Sequence, residues 1–104
     1  MVKKKYLESL KKFKQELSNE IPISKMYLFG SRAYGNPHRW SDFDLVIVSS
    51  DFRNKPTFKR SLGFRKYWGL DYPVDFLCYT PMEFNKLKKQ ITIIREAVNK
   101  GIEI

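Results

Sequence analysis

Four residues near the middle of the sequence could bind a phosphate group and a metal ion side by side. Gly30 and Ser31 follow an apolar run, and the carboxylates Asp42 and Asp44 come after ten intervening residues. Glycine lets the backbone approach a phosphate closely, and free N–H groups together with the Ser31 hydroxyl can donate to its oxygens. One residue separates the two carboxylates, so in a strand both lie on the same face.

A third carboxylate, Asp75, stands in a later apolar run and could complete this site. Three carboxylates at one end of a sheet repel one another unless a cation neutralises them. Mg²⁺ suits such a site, and two ions about 4 Å apart can activate an attacking oxygen and stabilise a leaving one. We expect Asp42, Asp44 and Asp75 to be metal ligands, with Asp75 also accepting a proton from an incoming hydroxyl. Asp71 is a rival for this third position, but the Tyr-Pro pair after it favours a turn.

Carboxylates, metal and hydrogen-bond donors together predict a site for a nucleoside triphosphate. Arg32 could contact a phosphate or could be an ordinary exposed arginine, and the sequence leaves both interpretations open. Arg39 and Lys25 are weaker candidates for the same contact. His38 lies beside a proline in a loop and is given no role.

Three predicted strands have to bring these residues together. Apolar and β-branched residues predict strands at 23–29, 43–49 and 74–79. The short return from Gly30 to Asp42 favours an antiparallel first pair. About thirty residues separate the second strand from Asp75, enough for a crossover that makes the second pair parallel.

Helical patterns alternate with these strands. The spacing of Tyr6, Leu10, Phe13 and Leu17 predicts a helix over 3–19. One helical turn is expected at 31–34, a further helix at 57–68, and a last one from a capping box at 80–83 to Gly101, unless the β-branched residues 91–94 interrupt it. The predicted class is α/β (α+β), with a small mixed sheet flanked by helices.

Composition limits the setting in which this chemistry could occur. A chain of 104 residues, 42% of them hydrophobic, fits a single domain over 1–104. No apolar run approaches the roughly 20 residues that span a bilayer, and no signal peptide is visible, so we expect a cytoplasmic protein without membrane contact. The one cysteine, Cys78, lies in an apolar run and excludes a disulfide framework.

The net charge of +9 favours phosphate, nucleic acid or an acidic protein as a partner. In residues 58–68, lysines and arginines alternate with aromatic residues, a mixture typical of surfaces that bind single-stranded nucleic acid. A helix with an aromatic core face and a basic solvent face explains the same pattern, and the helical alternation favours this second interpretation.

The signature Gly30-Ser31, ten residues, Asp42-x-Asp44 and a later Asp75 resembles that of the nucleotidyltransferase superfamily of the DNA polymerase β type. The small size and the segments LFGSRAYG and SDFDLVIV resemble more narrowly the minimal nucleotidyltransferases, the MNT group. The resemblance is clearest between residues 23 and 81.

This resemblance implies a mixed sheet flanked by helices, Mg²⁺ bound by the clustered aspartates, and a triphosphate, expected to be ATP, held by the Gly-Ser pair. Many proteins of this group are similar to antitoxins that add AMP to an all-helical HEPN ribonuclease, which is then the expected partner. Transfer to RNA, and an antitoxin that acts by binding alone, stay open as alternatives. The sequence also leaves a homo-oligomer open.

Overall fold

The computed structural model describes residues 3–38 and 41–104 of the chain. Arg39, one of the weaker phosphate candidates, lies outside these residues. The described elements are, in chain order, α1 (Lys4–Ser18), β1 (Lys25–Phe29), α2 (Ser31–Tyr34), β2 (Phe43–Val48), 3-10 turns at Ser50–Phe52, Thr57–Lys59 and Phe64–Tyr67, β3 (Val74–Tyr79), α3 (Pro81–Leu87), α4 (Ile93–Lys100) and β4 (Ile102–Glu103).

The four strands form one mixed sheet in the order β3-β2-β1-β4. Strand β1 is antiparallel to β2 and to β4, and β2 is parallel to β3. The predicted mixed α/β class and both predicted pairings are therefore confirmed. The two-residue strand β4 was not predicted, because so short a strand has no sequence pattern of its own.

Each face of the sheet is covered by helix, so the central strands β1 and β2 are buried on both sides. On one face, α1 packs through the four apolar residues that predicted it, with Leu10 and Leu17 fully buried. The other face carries α3 and α4, which bury Phe84, Ile94 and Ala97 against the sheet. Alternation along β2 sends Leu45 and Ile47 to the first face and Val46 and Val48 to the second.

The predicted helix over 57–68 was wrong. Two 3-10 turns, Thr57–Lys59 and Phe64–Tyr67, occupy this stretch instead. Gly63 lies between them with φ 84°, a left-handed conformation that ends a helix and that glycine adopts without steric cost.

The last predicted helix is interrupted at its β-branched segment, as the second alternative stated. Thr80 and Glu83 form the predicted capping box at the start of α3. Thr92 then joins the two helices, since its hydroxyl donates to Leu87 O at 2.8 Å and accepts from the Arg95 N–H at 3.2 Å.

In the residues that the structure describes, no helix is long and apolar enough to cross a membrane.

Candidate active site

The predicted site residues meet at one end of the sheet, where β1 ends and both β2 and β3 begin. Phe29, the last residue of β1, is opposite Asp44 on β2, and Asp44 is opposite Asp75 on β3. Neighbouring strands lie about 4.8 Å apart, so the two carboxylates start from adjacent backbone positions. Gly30 follows Phe29 directly and lies against Asp44.

A cavity of about 450 Å³ opens at this end of the sheet, between β2, β3 and α4. Its lining residues are Phe29, Gly30, Tyr34, Asp44, Asp75, Phe76, Leu77, Ile93 and Glu96. Three of the predicted site residues, Gly30, Asp44 and Asp75, are among them. Ser31 and the exposed Asp42 do not line this cavity. Ser31 begins α2 directly after Gly30, and Asp42 comes just before β2.

The surroundings of Asp44 in this site raise its pKa. Burial raises the pKa of Asp44, and the negative charges of Asp75 and Asp42 raise it further. A cation placed between these groups would remove the repulsion. This repulsion makes the Asp44 carboxylate a candidate ligand for a cation.

The donor set fits Mg²⁺ when substrate phosphate completes it. Among the described residues, no group of three histidine, cysteine or carboxylate side chains is close enough to form a metal site by itself. Mg²⁺ commonly takes only one or two protein carboxylates and fills its other positions with water and phosphate oxygens. Asp44 and Asp75 could supply that pair of carboxylates, and the roles of Asp42, Asp44 and Asp75 as metal ligands stay predictions.

Gly30 is required by the geometry of the turn that separates β1 from the short helix α2. Its φ is 77°, which disfavours any side chain, and a Cβ atom there would lie 2.5 Å from Asp44 Oδ2. The Gly30 carbonyl accepts from the Ala33 and Tyr34 N–H groups at 3.0 and 3.2 Å, which closes the turn. The glycine thus keeps the space beside the Asp44 carboxylate open.

Arg32 is buried, so the interpretation as an exposed arginine was wrong. Its guanidinium lies 4.7 Å from the ring centroid of Phe43 and 4.5 Å from that of Tyr72. Nε and Nη2 donate to the Ser41 carbonyl at 3.1 and 2.9 Å. Arg32 therefore holds the backbone one residue before Asp42, and its predicted contact with a phosphate stays a prediction.

The sequence of this chain matches the nucleotidyltransferase domain family over residues 10–98. The match includes all six predicted site residues. The chain belongs to this family.

Two solved structures resemble this nucleotidyltransferase domain. A crystal structure of a proposed nucleotidyltransferase from Sulfolobus solfataricus has 25% sequence identity and a TM-score of 0.61, and the alignment covers 77% of this chain and 71% of that one. A second proposed nucleotidyltransferase has 20% identity and a TM-score of 0.53 over 95% of this chain and 97% of the other, which shows a shared fold. Among curated proteins, no match to this sequence is found.

Two ionisable residues that line this cavity were not predicted from the sequence, Tyr34 on α2 and Glu96 on α4. Burial raises the pKa of Tyr34, and the neighbouring Glu96 and Asp44 carboxylates raise it further. Glu96 lies in the first turn of α4, where the sequence pattern predicts an ordinary exposed acidic residue. Only the packing of α4 against β1 brings it to the site, so no local signal could have identified it.

The rival carboxylate Asp71 lies in an exposed turn and does not line the cavity, whereas Asp75 does.

Cys78 is buried in the sheet, and burial raises the pKa of its thiol to about 12. The thiol is therefore neutral and unreactive at physiological pH, as expected for a small apolar core residue.

Proposed function

We propose that this domain transfers a nucleoside monophosphate, AMP from ATP, to a hydroxyl group of a partner protein in a Mg²⁺-dependent reaction. The observation that supports this proposal best is the convergence of Gly30, Asp44 and Asp75 on one cavity in a member of the nucleotidyltransferase domain family. The mutual repulsion of the carboxylates is consistent with a site that binds cations.

Each residue has a defined role in the proposed reaction. The Gly30-Ser31 turn would hold the triphosphate, because backbone can approach closely there and the Ser31 hydroxyl can donate to phosphate oxygens. Asp44 and Asp75, with Asp42 beside them, would hold Mg²⁺. When bound, Mg²⁺ would neutralise the charge of the triphosphate and so favour attack on it.

The chemistry is an in-line displacement at the α-phosphorus. The acceptor hydroxyl oxygen forms a bond to this phosphorus while the bond from the phosphorus to the bridging oxygen of the leaving group breaks. Pyrophosphate leaves, and the proton of the hydroxyl passes to the Asp75 carboxylate. The half-open cavity leaves Asp75 exposed, so a hydroxyl presented by another macromolecule can reach it.

We further propose that the acceptor belongs to an HEPN-type partner, with this domain as its antitoxin. The chain should be co-expressed with the product of the neighbouring reading frame and incubated with Mg²⁺ and ATP labelled at the α-phosphate. Asp44→Asn and Asp75→Asn should each lower transfer of label to the partner by at least about 100-fold. Asp71→Asn removes an equal charge from an exposed turn and should leave transfer unchanged.

Other patterns of labelling would contradict parts of this proposal. Label from the γ-phosphate on the acceptor would mean phosphoryl rather than nucleotidyl transfer. Label on RNA instead of protein would replace the proposed acceptor. If Asp44→Asn neutralised a toxic partner as fully as the unaltered chain, binding rather than catalysis would be the biological function.

A further inference from the structure

The opposite end of the sheet carries a basic surface that the nucleotidyltransferase site does not use. Two clefts lie there, about 730 and 340 Å³ in volume. Both are lined by Arg60 and Glu83, so they flank the same ion pair. Strand β3 runs from Asp75 at the catalytic end to Tyr79 at this end, about 13 Å away for four strand residues.

Arg60 fixes the chain between the two clefts. It is buried and pairs with both carboxylate oxygens of Glu83, at 2.5 and 3.1 Å. It also donates to the carbonyls of Lys55 and Cys78, at 3.0 and 3.1 Å. These bonds neutralise the acid that both clefts share and hold the 55–60 segment against the edge of β3.

The fixed segment presents an aromatic ring to solvent. Phe58 is 76% exposed, although the interpretation of this region as a helix with an aromatic core face would have buried it. The Lys59 ammonium lies 5.8 Å from its ring centroid. Later aromatic residues of the same stretch behave differently, since Phe64 is buried in the core.

The charge around this ring is strongly positive. Arg53, Lys55, Lys59 and Lys86 are exposed, and none of them forms an ion pair with another described residue. Arg53 lines the larger cleft and Lys86 the smaller one. Each cleft is therefore lined by one exposed cation, and Lys55, Phe58 and Lys59 belong to the segment that Arg60 fixes beside them.

We propose that this surface, named here the Phe58 surface and comprising Arg53, Lys55, Phe58, Lys59 and Lys86, binds single-stranded nucleic acid. Exposed cations that form no ion pair with another described residue can contact a phosphodiester backbone, and an exposed flat ring fits an unpaired base that stacks on it. An acidic protein would use the cations but would have no need of the ring. A duplex keeps its bases stacked and could not offer one.

The proposal does not depend on the transferase activity, so it is tested without ATP or Mg²⁺. Fluorescence anisotropy would follow binding of labelled oligo-U and oligo-dT of about 12 nucleotides, a length within the range of single-strand sites. Phe58→Ala should weaken binding at least about fivefold, as expected for the loss of one stacked base. Phe58→Tyr keeps the ring and should bind as the unaltered chain does.

A charge-matched pair of variants separates this surface from a general effect of net charge. The double variant Lys55→Ala, Lys59→Ala should weaken binding. It should also make binding less salt-dependent, because the slope of log K against log salt concentration falls in magnitude by about 0.7 for each lost phosphate contact. The double variant Lys11→Ala, Lys100→Ala removes the same charge from α1 and from the end of α4 beside the β4 edge. It should leave the affinity and its salt dependence unchanged. The substituted side chains are exposed, so folding should persist, with circular dichroism as the check.

Several results would overturn the proposal. The first is that neither oligonucleotide binds. The second is an equal loss of affinity in the two lysine double variants, and the third is unchanged binding by Phe58→Ala. Competition by polyglutamate as effective as that by oligo-U would assign the surface to an acidic protein instead. A preference for oligo-U over oligo-dT would narrow the ligand to RNA, and equal binding would leave the proposed class as stated.

Discussion

At the scale of single residues, Gly30 is constrained both by its positive φ and by its contact with Asp44. Two other glycines allow these constraints to be tested separately. Gly30 combines a positive φ with close contact to Asp44, Gly63 has a positive φ of 84° in open space, and Gly69 has neither feature. The Asp44 carboxylate is the end of a side chain and can move away from an added Cβ. The cost of the contact should therefore appear in activity more than in stability.

Three alanine variants test this reasoning. Gly30→Ala and Gly63→Ala should each lower the free energy of unfolding by about 1 to 2 kcal/mol, the cost of a left-handed conformation. Gly69→Ala should change it by less than about 0.5 kcal/mol. Urea unfolding measures these values. Nucleotidyl transfer should fall only in Gly30→Ala, and equal transfer by the Gly30 and Gly63 variants would show that the contact with Asp44 does not matter.

The common position of the candidate site residues at one end of the sheet could be predicted from sequence because their pattern is local. Gly30, Asp42 and Asp44 lie at or near the facing ends of two consecutive strands. The short connection between these strands limits how far apart the three residues can be. Glu96 and the aromatic neighbours of Arg32 could not be predicted, because separate elements bring them together. Phe43 comes from β2 and Tyr72 from the turn before β3.

At the scale of elements, strand β3 forms one edge of the sheet and two arginines cover that edge. Arg60 donates to the Cys78 carbonyl and Arg65 to the Val74 carbonyl, at 3.1 and 3.3 Å. These bonds satisfy backbone groups that would otherwise offer a template for another strand. The broken 57–68 segment makes this possible, because its two 3-10 turns place one arginine at each end of β3.

The Arg60–Glu83 pair should make stability depend on pH. The Arg60 guanidinium holds the pKa of Glu83 below its usual range. Because a lowered folded pKa favours the ionised form, the stabilisation is present above the unfolded value and is lost as pH falls through the folded value. Glu83→Gln should cost about 1 to 2 kcal/mol at pH 7, less than a fully buried pair because the Glu83 side chain is 42% exposed.

Urea unfolding at several pH values measures this effect. Glutamine can still accept the Thr80 N–H bond of the capping box, so the substitution removes the charge and keeps the cap. The gap between Glu83→Gln and the unaltered chain should narrow as the pH falls below about 4, where even an unperturbed glutamate is largely protonated. Glu8→Gln, an exposed acid on α1, should show little difference at any pH. A gap that stayed constant from pH 7 to pH 3 would rule out the charge as its cause.

At the scale of the whole molecule, the mixed sheet separates two different surfaces. The antiparallel β1–β2 pair and the parallel β2–β3 pair bring the acidic site to one end. The basic clefts occupy the other end, beyond Tyr79. The strand pairings could be predicted from connection lengths. The sequence offered the second surface only as the less favoured of two interpretations of residues 58–68, because a helix there would have buried Phe58, which is exposed.

The acidic end should make the stability of the whole domain respond to Mg²⁺. Asp44 is partly buried beside two other carboxylates, so its charge opposes folding while no cation is bound. Asp44→Asn removes this repulsion and should stabilise the metal-free domain by about 1 kcal/mol, as changes at strained active sites often do. The same variant loses the proposed Mg²⁺ ligand, so it should gain little stability from added Mg²⁺.

Thermal unfolding with and without Mg²⁺ distinguishes these two effects. At ten times its dissociation constant, Mg²⁺ should stabilise the unaltered chain by about 1.4 kcal/mol. For a domain of this size the melting temperature should rise by roughly 5 to 10 °C. Asp71→Asn should respond as the unaltered chain does, and K⁺ at equal ionic strength should not reproduce the rise. If Asp44→Asn gained as much from Mg²⁺ as Asp71→Asn, the ion would act on surface charge in general and Asp44 would not be its ligand.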